Sequence, residues 1–291
     1  MTPRQAHPSG EQWTIRHGDH EAVVVQVGGG LRTYAFRGRD VLAGYPRDAQ
    51  CSAGRGQLLI PWPNRIRDGS YSVSGQRHQL ALSEPERGNA IHGLVRWAIW
   101  SVVEKTRNTI RLVCRLPPQQ GWAWSLDLFV TYALSDEGLV VTPRAVNVGT
   151  GAAPFGFGAH PYLSVGEDRV DEVRLGIPAA SLLEVDDRLL PGAIAAVEGT
   201  DRDFREPRLL GVAALDTSFA HLAADLDGRL PVNLAHVHTG HTVTARAEHP
   251  SLPRLPCRTR AALPPLHRPT HRPAEAPSPD TTSPSHASDS T

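Results

Sequence analysis

The chain is poor in most of the features that would declare a function at once. Its three cysteines, Cys51, Cys114 and Cys257, are widely spaced and odd in number, and no C-x-x-C pair occurs. Neither a zinc ribbon nor a dithiol redox centre is indicated, and free thiols in a reducing compartment are expected. An excess of one charge is missing as well: Lys+Arg and Asp+Glu both number 30, so no global field draws the protein to nucleic acid or to an anionic membrane. A small neutral partner fits that balance better. The first thirty residues are broken by Arg4, His7, Glu11, Arg16 and Asp19, which leaves no apolar stretch of signal-peptide length. No run approaches the roughly 20 apolar residues a membrane span requires. The expectation is a cytoplasmic protein that contacts neither nucleic acid nor membrane. Helical periodicity is nearly absent too.

What remains is β-structure. Short β-branched and aromatic runs recur at Ala22 to Val27, Thr33 to Arg37, Trp100 to Glu104, Thr109 to Arg115, Ser125 to Leu134 and Leu139 to Val146. The turn sequences Gly29-Gly30, Arg67-Asp68-Gly69, Arg107-Asn108 and Ser135-Asp136-Glu137-Gly138 lie among them, so the runs read as hairpins. Between Ser125 and Leu134 apolar residues fill almost every even position, as in an antiparallel strand with one face on a core. The pattern weakens from Val170 to about Ala247, where Glu172 to Ile177, Ser181 to Val185 and His241 to Ala247 still read as strands and Leu189-Leu190-Pro191-Gly192 as a turn.

Three polar residues stand beside Pro or Gly in this β-background: Arg65 in Pro61-Trp62-Pro63-Asn64-Arg65-Ile66, His92 in Asn89-Ala90-Ile91-His92-Gly93-Leu94, and His160 in Gly158-Ala159-His160-Pro161-Tyr162. At such turns a side chain can leave a strand and point into a shared cleft. With Leu215-Asp216-Thr217-Ser218-Phe219, these segments resemble the aldose 1-epimerase (galactose mutarotase) family, in its order and at about its spacing. The resemblance implies an all-β, single-domain antiparallel β-supersandwich over residues 1–248, with a free sugar in an open cleft and neither a metal nor an organic cofactor. It implies interconversion of the α and β anomers of an aldohexose.

Mutarotation opens a hemiacetal. One group takes the proton of the anomeric hydroxyl while another gives a proton to the ring oxygen, and closure on the other face reverses both. By the resemblance, His160 is the acid, suited by an imidazole's ordinary titration near neutrality. His92 joins it as a catalytic histidine that holds sugar oxygens, Arg65 and its neighbour Asn64 bind the substrate, and the Asp216 carboxylate accepts sugar hydroxyls. Asp186 and Asp187 are alternatives to Asp216, read first as loop carboxylates. Trp62, Trp97 and Trp100 are candidates for a stacking platform, with core packing the competing fate and the expected one for Trp100. The cluster His236-Val237-His238-Thr239-Gly240-His241 could hold a metal but has no carboxylate or cysteine close by. A sugar phosphate would require further cations in the cleft.

The family's general base, a glutamate in an apolar strand near the C-terminus, has no counterpart. The only glutamate after Glu248 is Glu275, between Pro273 and Pro277, where a sheet position is improbable. Ten of the 25 prolines lie in residues 249–291, which contain no Gly, Val, Ile, Phe, Tyr, Trp or Met. Such a segment cannot offset its ordering entropy by apolar burial, so a disordered tail is expected. A length normal for the family with foreign content suggests a frame change between Leu230 and His249. The competing function is then a non-catalytic sugar-binding protein of the same fold.

Overall fold

The structure, a computed structural model, describes residues 7–166, 170–213 and 215–248. The segment 249–291 expected to be disordered, and with it Cys257 and Glu275, lies outside the described residues. All strand pairs are antiparallel. Each strand expected from the sequence is present, with ends displaced by no more than two residues.

Two four-stranded meanders form the first half. One runs through Gln12–His17, His20–Val25, Leu31–Phe36 and Arg39–Asp40, the other through Ser101–Lys105, Thr109–Leu116, Leu126–Ser135 and Gly138–Asn147. The period-2 alternation sets both face and register. Ile110, Leu112, Cys114 and Leu116 lie opposite Tyr132, Val130, Leu128 and Leu126, and all eight are buried. A one-residue slip would turn this whole set to solvent, so burial of one face fixes the pairing. Each large apolar side chain so buried stabilises the fold by roughly 1.5–3 kcal/mol. Ile15, Ala22, Val24 and Tyr34 of the other meander complete this core, together with Trp100, which is fully buried as expected. Gly29 has φ +62°, and a Cβ there would stand 2.6 Å from the Trp100 ring, so the close approach needs glycine.

A second core follows. Arg208–Leu209, Val173–Gly176, Arg229–His236 and Thr242–Glu248 lie side by side in that order, and Pro191–Ala196, Ala179–Val185 and Ser218–Leu222 form another sheet. Val173, Leu175, Val232, Leu234 and Val243 of the first sheet share one core with Ala179, Leu182 and Phe219 of the second. Val41 and Leu163 pack against both cores, and the segments carrying them are tied by Ala43 N–H to Tyr162 O at 2.7 Å and Ser164 N–H to Val41 O at 2.9 Å. The result is the single antiparallel β-supersandwich that the family resemblance implied.

One turn falls earlier than expected. Instead of Leu189 to Gly192, the chain reverses at Asp187-Arg188, and Pro191 opens a strand. The Asp186 carboxylate accepts the N–H groups of Arg188 and Leu190, both at 2.9 Å, which closes the turn before the proline. Pro191 then stands first in a strand at the sheet edge, where its missing N–H costs no ladder bond.

Three two-stranded ribbons accompany these sheets, and two of them carry the polar motifs. Leu58–Leu59 pairs with Gly158–Ala159, which delivers His160, and Arg65–Arg67 pairs with Asn89–Ile91, which delivers Arg65 and His92.

Candidate functional site

A cleft of about 370 Å³ opens where these ribbons meet the second core. It is lined by Asn64, Arg65, His92, His160 and Asp216, so all five residues singled out from the sequence come together. Glu84, Glu86 and Arg96, which the sequence reading passed over, line it as well.

His92 is locked by its neighbours. Its backbone N–H donates to Asn64 O at 2.9 Å, and the Asn64 N–H donates back to His92 Nδ1 at 3.1 Å. Both residues sit in the left-handed region, Asn64 at φ 63° and His92 at φ 62°, a conformation that costs a histidine free energy and tends to be retained at functional sites. Gly93 continues the bend: at φ +74° a Cβ would lie 2.0 Å from Ile60 O. Because Nδ1 accepts a hydrogen bond, the proton of the neutral ring is on Nε2, which makes that atom a donor. Burial, reinforced by the charges of His160, Arg96 and Arg65, pushes the His92 pKa down to about 3, so the ring is neutral at ordinary pH.

His160 is 4 % exposed, and its ring meets His92 edge-to-face with centroids 5.6 Å apart. Its backbone is pinned on both sides, its N–H donating to Gln57 O at 3.0 Å and its carbonyl accepting from Gly56 N–H at 2.8 Å. Tyr162 stacks on the imidazole at 5.3 Å and donates its hydroxyl to Ala53 O at 2.9 Å, while the Arg55 guanidinium lies over the Tyr162 ring, 4.7 Å from its centroid. Gly54 approaches the imidazole so closely that a Cβ would be 3.3 Å from His160 Cδ2. The ring is thus held in one orientation between backbone and a stacked partner.

Arg65 differs from the sequence expectation in one respect. Its fork does not point freely at a ligand: Nε and Nη2 donate to Glu84 Oε2 at 2.7 Å and Oε1 at 2.8 Å, which leaves Nη1, 3.4 Å from Asn64 Oδ1, as the donor outside that clamp. Glu84 also accepts from Asn89 Nδ2 at 3.0 Å and Arg87 Nη1 at 3.2 Å. Burial alone would raise its pKa, but the hydrogen bonds from Arg65 and Asn89 and the charges of Arg65 and Arg87 outweigh it and hold the carboxyl at about 2. Arg96 is fixed by a reciprocal pair with buried Gln57, Nε to Oε1 at 3.0 Å and Gln57 Nε2 to Arg96 O at 3.1 Å. It is the additional cation a sugar phosphate would call for, though Glu86 and Asp216 share the cleft with it. Asp216 is exposed and reaches the cleft from the second core, beside buried Leu215.

Other expectations fall elsewhere. Trp62, Trp97 and Trp100 do not line the cleft. Asp186 closes its turn and pairs with Arg67, and so serves the fold. His236 is a buried strand residue whose Nδ1 accepts the N–H groups of His238 and Thr239, so it caps the turn that follows. Among the described residues no three His, Cys, Asp or Glu side chains are grouped to hold a metal. Cys51 and Cys114 are free thiols, both raised to about 11 by burial, which makes them poor nucleophiles. No helix among the described residues is long and apolar enough to cross a membrane.

A family model described as aldose 1-epimerase matches residues 11–252. The uncharacterized protein YihR of Escherichia coli K12 is 36% identical over 214 residues, 73% of this chain and 70% of that one. The galactose mutarotase of Homo sapiens is 31% identical over 157 residues, which span 51% of this chain and 44% of the human protein. Among solved structures, an aldose epimerase homologue from C. elegans superimposes with a TM-score of 0.69 at 21% identity, covering 79% of this chain and 76% of that one. A galactose mutarotase-like protein from Clostridium acetobutylicum gives a TM-score of 0.68 at 21% identity, covering 77% and 73%. These two likenesses show the fold.

Proposed function

The chain belongs to the aldose 1-epimerase family, and from that premise we propose that it interconverts the α and β anomers of a free aldohexose by acid/base ring opening. The observation that supports this best is the pair His92 and His160, 5.6 Å apart in one cleft with Arg65, Asn64 and Asp216. His160 gives a proton to the ring oxygen as the bond from that oxygen to the anomeric carbon breaks, while a base takes the proton of the anomeric hydroxyl. The open-chain aldehyde rotates about the bond next to the carbonyl, and closure returns both protons. His92, neutral with Nε2–H as donor, holds an oxygen of the sugar without adding charge. Arg65 donates through Nη1, and Asp216 accepts hydroxyls from the opposite core. The substrate is a small sugar, and the site of action is the cytoplasm, in keeping with scattered free cysteines.

The scheme needs a base for the anomeric proton. Glu84 is poorly suited, since two arginines and Asn89 hold it as the anion and leave it little affinity for a proton. The family resemblance puts the base in a C-terminal glutamate, and after Glu248 the sequence offers only Glu275. That single observation favours a second reading, a sugar-binding protein of the same fold without turnover. Polarimetry separates the two. Freshly dissolved α-glucose or α-galactose should equilibrate faster with the protein than in buffer; binding by titration calorimetry with no acceleration would establish the second reading.

A further inference from the structure

We infer that Arg188, a residue of the second half outside the cleft, positions the Arg65 guanidinium through Asn89 and Glu84. The inference rests on the sugar-site reading for its functional consequence. Its physical basis is a chain of contacts that starts in the Asp187-Arg188 turn.

Arg188 enters the tight turn formed by the short 3-10 helix Pro85–Arg87 and Gly88, whose last carbonyls have no partner within so short a helix. Its Nε donates to Arg87 O at 2.7 Å, and its Nη2 donates to Gly88 O at 2.7 Å and to Asp68 Oδ1 at 2.7 Å. Gly88 admits this approach: at φ +65° a Cβ there would stand 2.9 Å from Arg188 Nη2. The same guanidinium reaches Asn89 Oδ1 at 3.3 Å, and the Arg188 carbonyl accepts from Asn89 Nδ2 at 3.0 Å. Asn89 has no exposed surface, and its other amide bond goes to Glu84 Oε2 at 3.0 Å, the oxygen that receives Arg65 Nε. One turn of the second half therefore dictates the rotamer of Asn89, Asn89 fixes Glu84, and Glu84 fixes the plane of the guanidinium beside the sugar site.

The arrangement has the form of a positioning device because every link is directional and planar. A lysine at 188 would supply charge but not two forked donors to two carbonyls and an amide oxygen. Asp186 stiffens the origin of the chain by closing the turn and by its pair with Arg67 at 3.1 Å.

The test uses the full chain with Arg188→Ala and the milder Arg188→Lys. The first readout is independent of turnover: exchange with solvent of the Arg65 Nε–H, followed by ¹⁵N NMR and assigned by its loss in Arg65→Lys. Arg188→Ala should speed that exchange at least tenfold, and Arg188→Lys should fall between it and the parent. The second readout is steady-state mutarotation of galactose, in which Arg188→Ala should raise KM five- to fiftyfold while kcat stays within threefold. Exchange and KM both within twofold of the parent in well-folded Arg188→Ala would reduce Arg188 to a surface latch and overturn the inference. Should Arg188→Ala not fold, Arg188→Lys alone decides by the same readouts. A parent protein that neither binds nor turns over sugar would defeat the functional reading, and the exchange measurement would still decide the positioning role.

Discussion

The two cores of this molecule are built from different materials and contribute different things to the cleft. The first contains Trp100, Trp122, Tyr34 and Tyr132 among long alternating strands, whereas the buried aromatics of the second are Phe204 and Phe219 in an otherwise aliphatic set. Arg65, His92 and His160 stand on ribbons fastened to the first core, His92 in left-handed backbone, both histidines pinned by backbone hydrogen bonds and Arg65 clamped by Glu84. The second core sends Asp216, exposed and flanked by buried Leu215 and Phe219, together with the turn that carries Arg188. Rigid placement on one side and delivery of a few polar groups from the other is a workable division, because proton transfer tolerates little misplacement while hydroxyl recognition tolerates more. His160 lies two residues from Tyr162, where the strip joining the two cores begins.

The largest expected effect attacks the first side. On the proposed function, His160→Gln should reduce mutarotation on the order of 10²–10⁴-fold while circular dichroism and the melting temperature stay near the parent's, since the proposed ring-oxygen acid goes and little volume changes. Unchanged turnover in a folded variant would remove His160 from the chemistry and erase the contrast between the sides.

Next come the cores themselves. Leu128 and Leu175 are each 1 % exposed, one in each core. Truncating either to Ala should cost about 2–5 kcal/mol, from lost burial and from the cavity left behind. If Val41 and Leu163 couple the cores into one cooperative unit, both variants shift the same single denaturant transition. A second transition confined to Leu175→Ala would show that the second core unfolds by itself.

A smaller effect is expected at the polar groups of the second side. Asp216→Asn should weaken galactose binding about tenfold, roughly 1.4 kcal/mol, with kcat little altered, because it removes an interaction made with ground and transition states alike. A collapse of kcat at constant KM would mean that Asp216 takes part in proton transfer and that the second side is not confined to recognition.

The acid limb of stability sharpens the comparison further: the strongly lowered groups His92 and Glu84 belong to the first side, whereas the second side has Asp203, held at about 2 by hydrogen bonds from Arg205 at the surface. The unfolded imidazole takes its proton near 6.5, whereas folded His92 refuses it until about 3, so stability falls as pH falls through that window. Glu84 adds a second contribution, fully present above 4.5 and lost as pH drops toward 2. In chemical denaturation at stepped pH, His92→Asn should flatten the upper part of this limb and Glu84→Gln the lower. An undiminished slope in both variants would move the acid sensitivity elsewhere.

How much of this was legible in the sequence follows from the range over which each signal acts. Leu126–Ser135 is long enough for its period to show, and its buried even positions were readable from identity alone. The ribbons Arg65–Arg67 and Asn89–Ile91 are three residues each, too short for any period, and only the Pro, Gly and His motifs beside them marked the site. Glu84 reads as a loop charge in Ser83-Glu84-Pro85-Glu86 because its partner, Arg65, is 19 residues away. Arg96 was nearer to view, three residues after Gly93, but the glutamine that fixes it is 39 residues upstream. The strand Arg229–His236 was missed because Pro231 and Asn233 interrupt its apolar set, although Val232, Leu234 and His236 alternate inward once the chain is paired.

The smallest expected effect concerns the residues after Glu248. They hold ten prolines and none of Gly, Val, Ile, Phe, Tyr, Trp or Met, so they offer the two cores almost nothing to bury. Leu and Ala are the main apolar types there, and Pro removes a backbone donor wherever it would enter a ladder. A stop codon after Glu248 should therefore leave the melting temperature and any mutarotation nearly unchanged. Installing the family's apolar strand with its glutamate in place of this segment should raise both, by adding a base and covering the edge of the sheet that ends in Thr242–Glu248. Loss of folding on truncation, or loss of activity in Glu275→Gln, would show that the proline-rich segment completes the cleft and that the second side supplies the base as well.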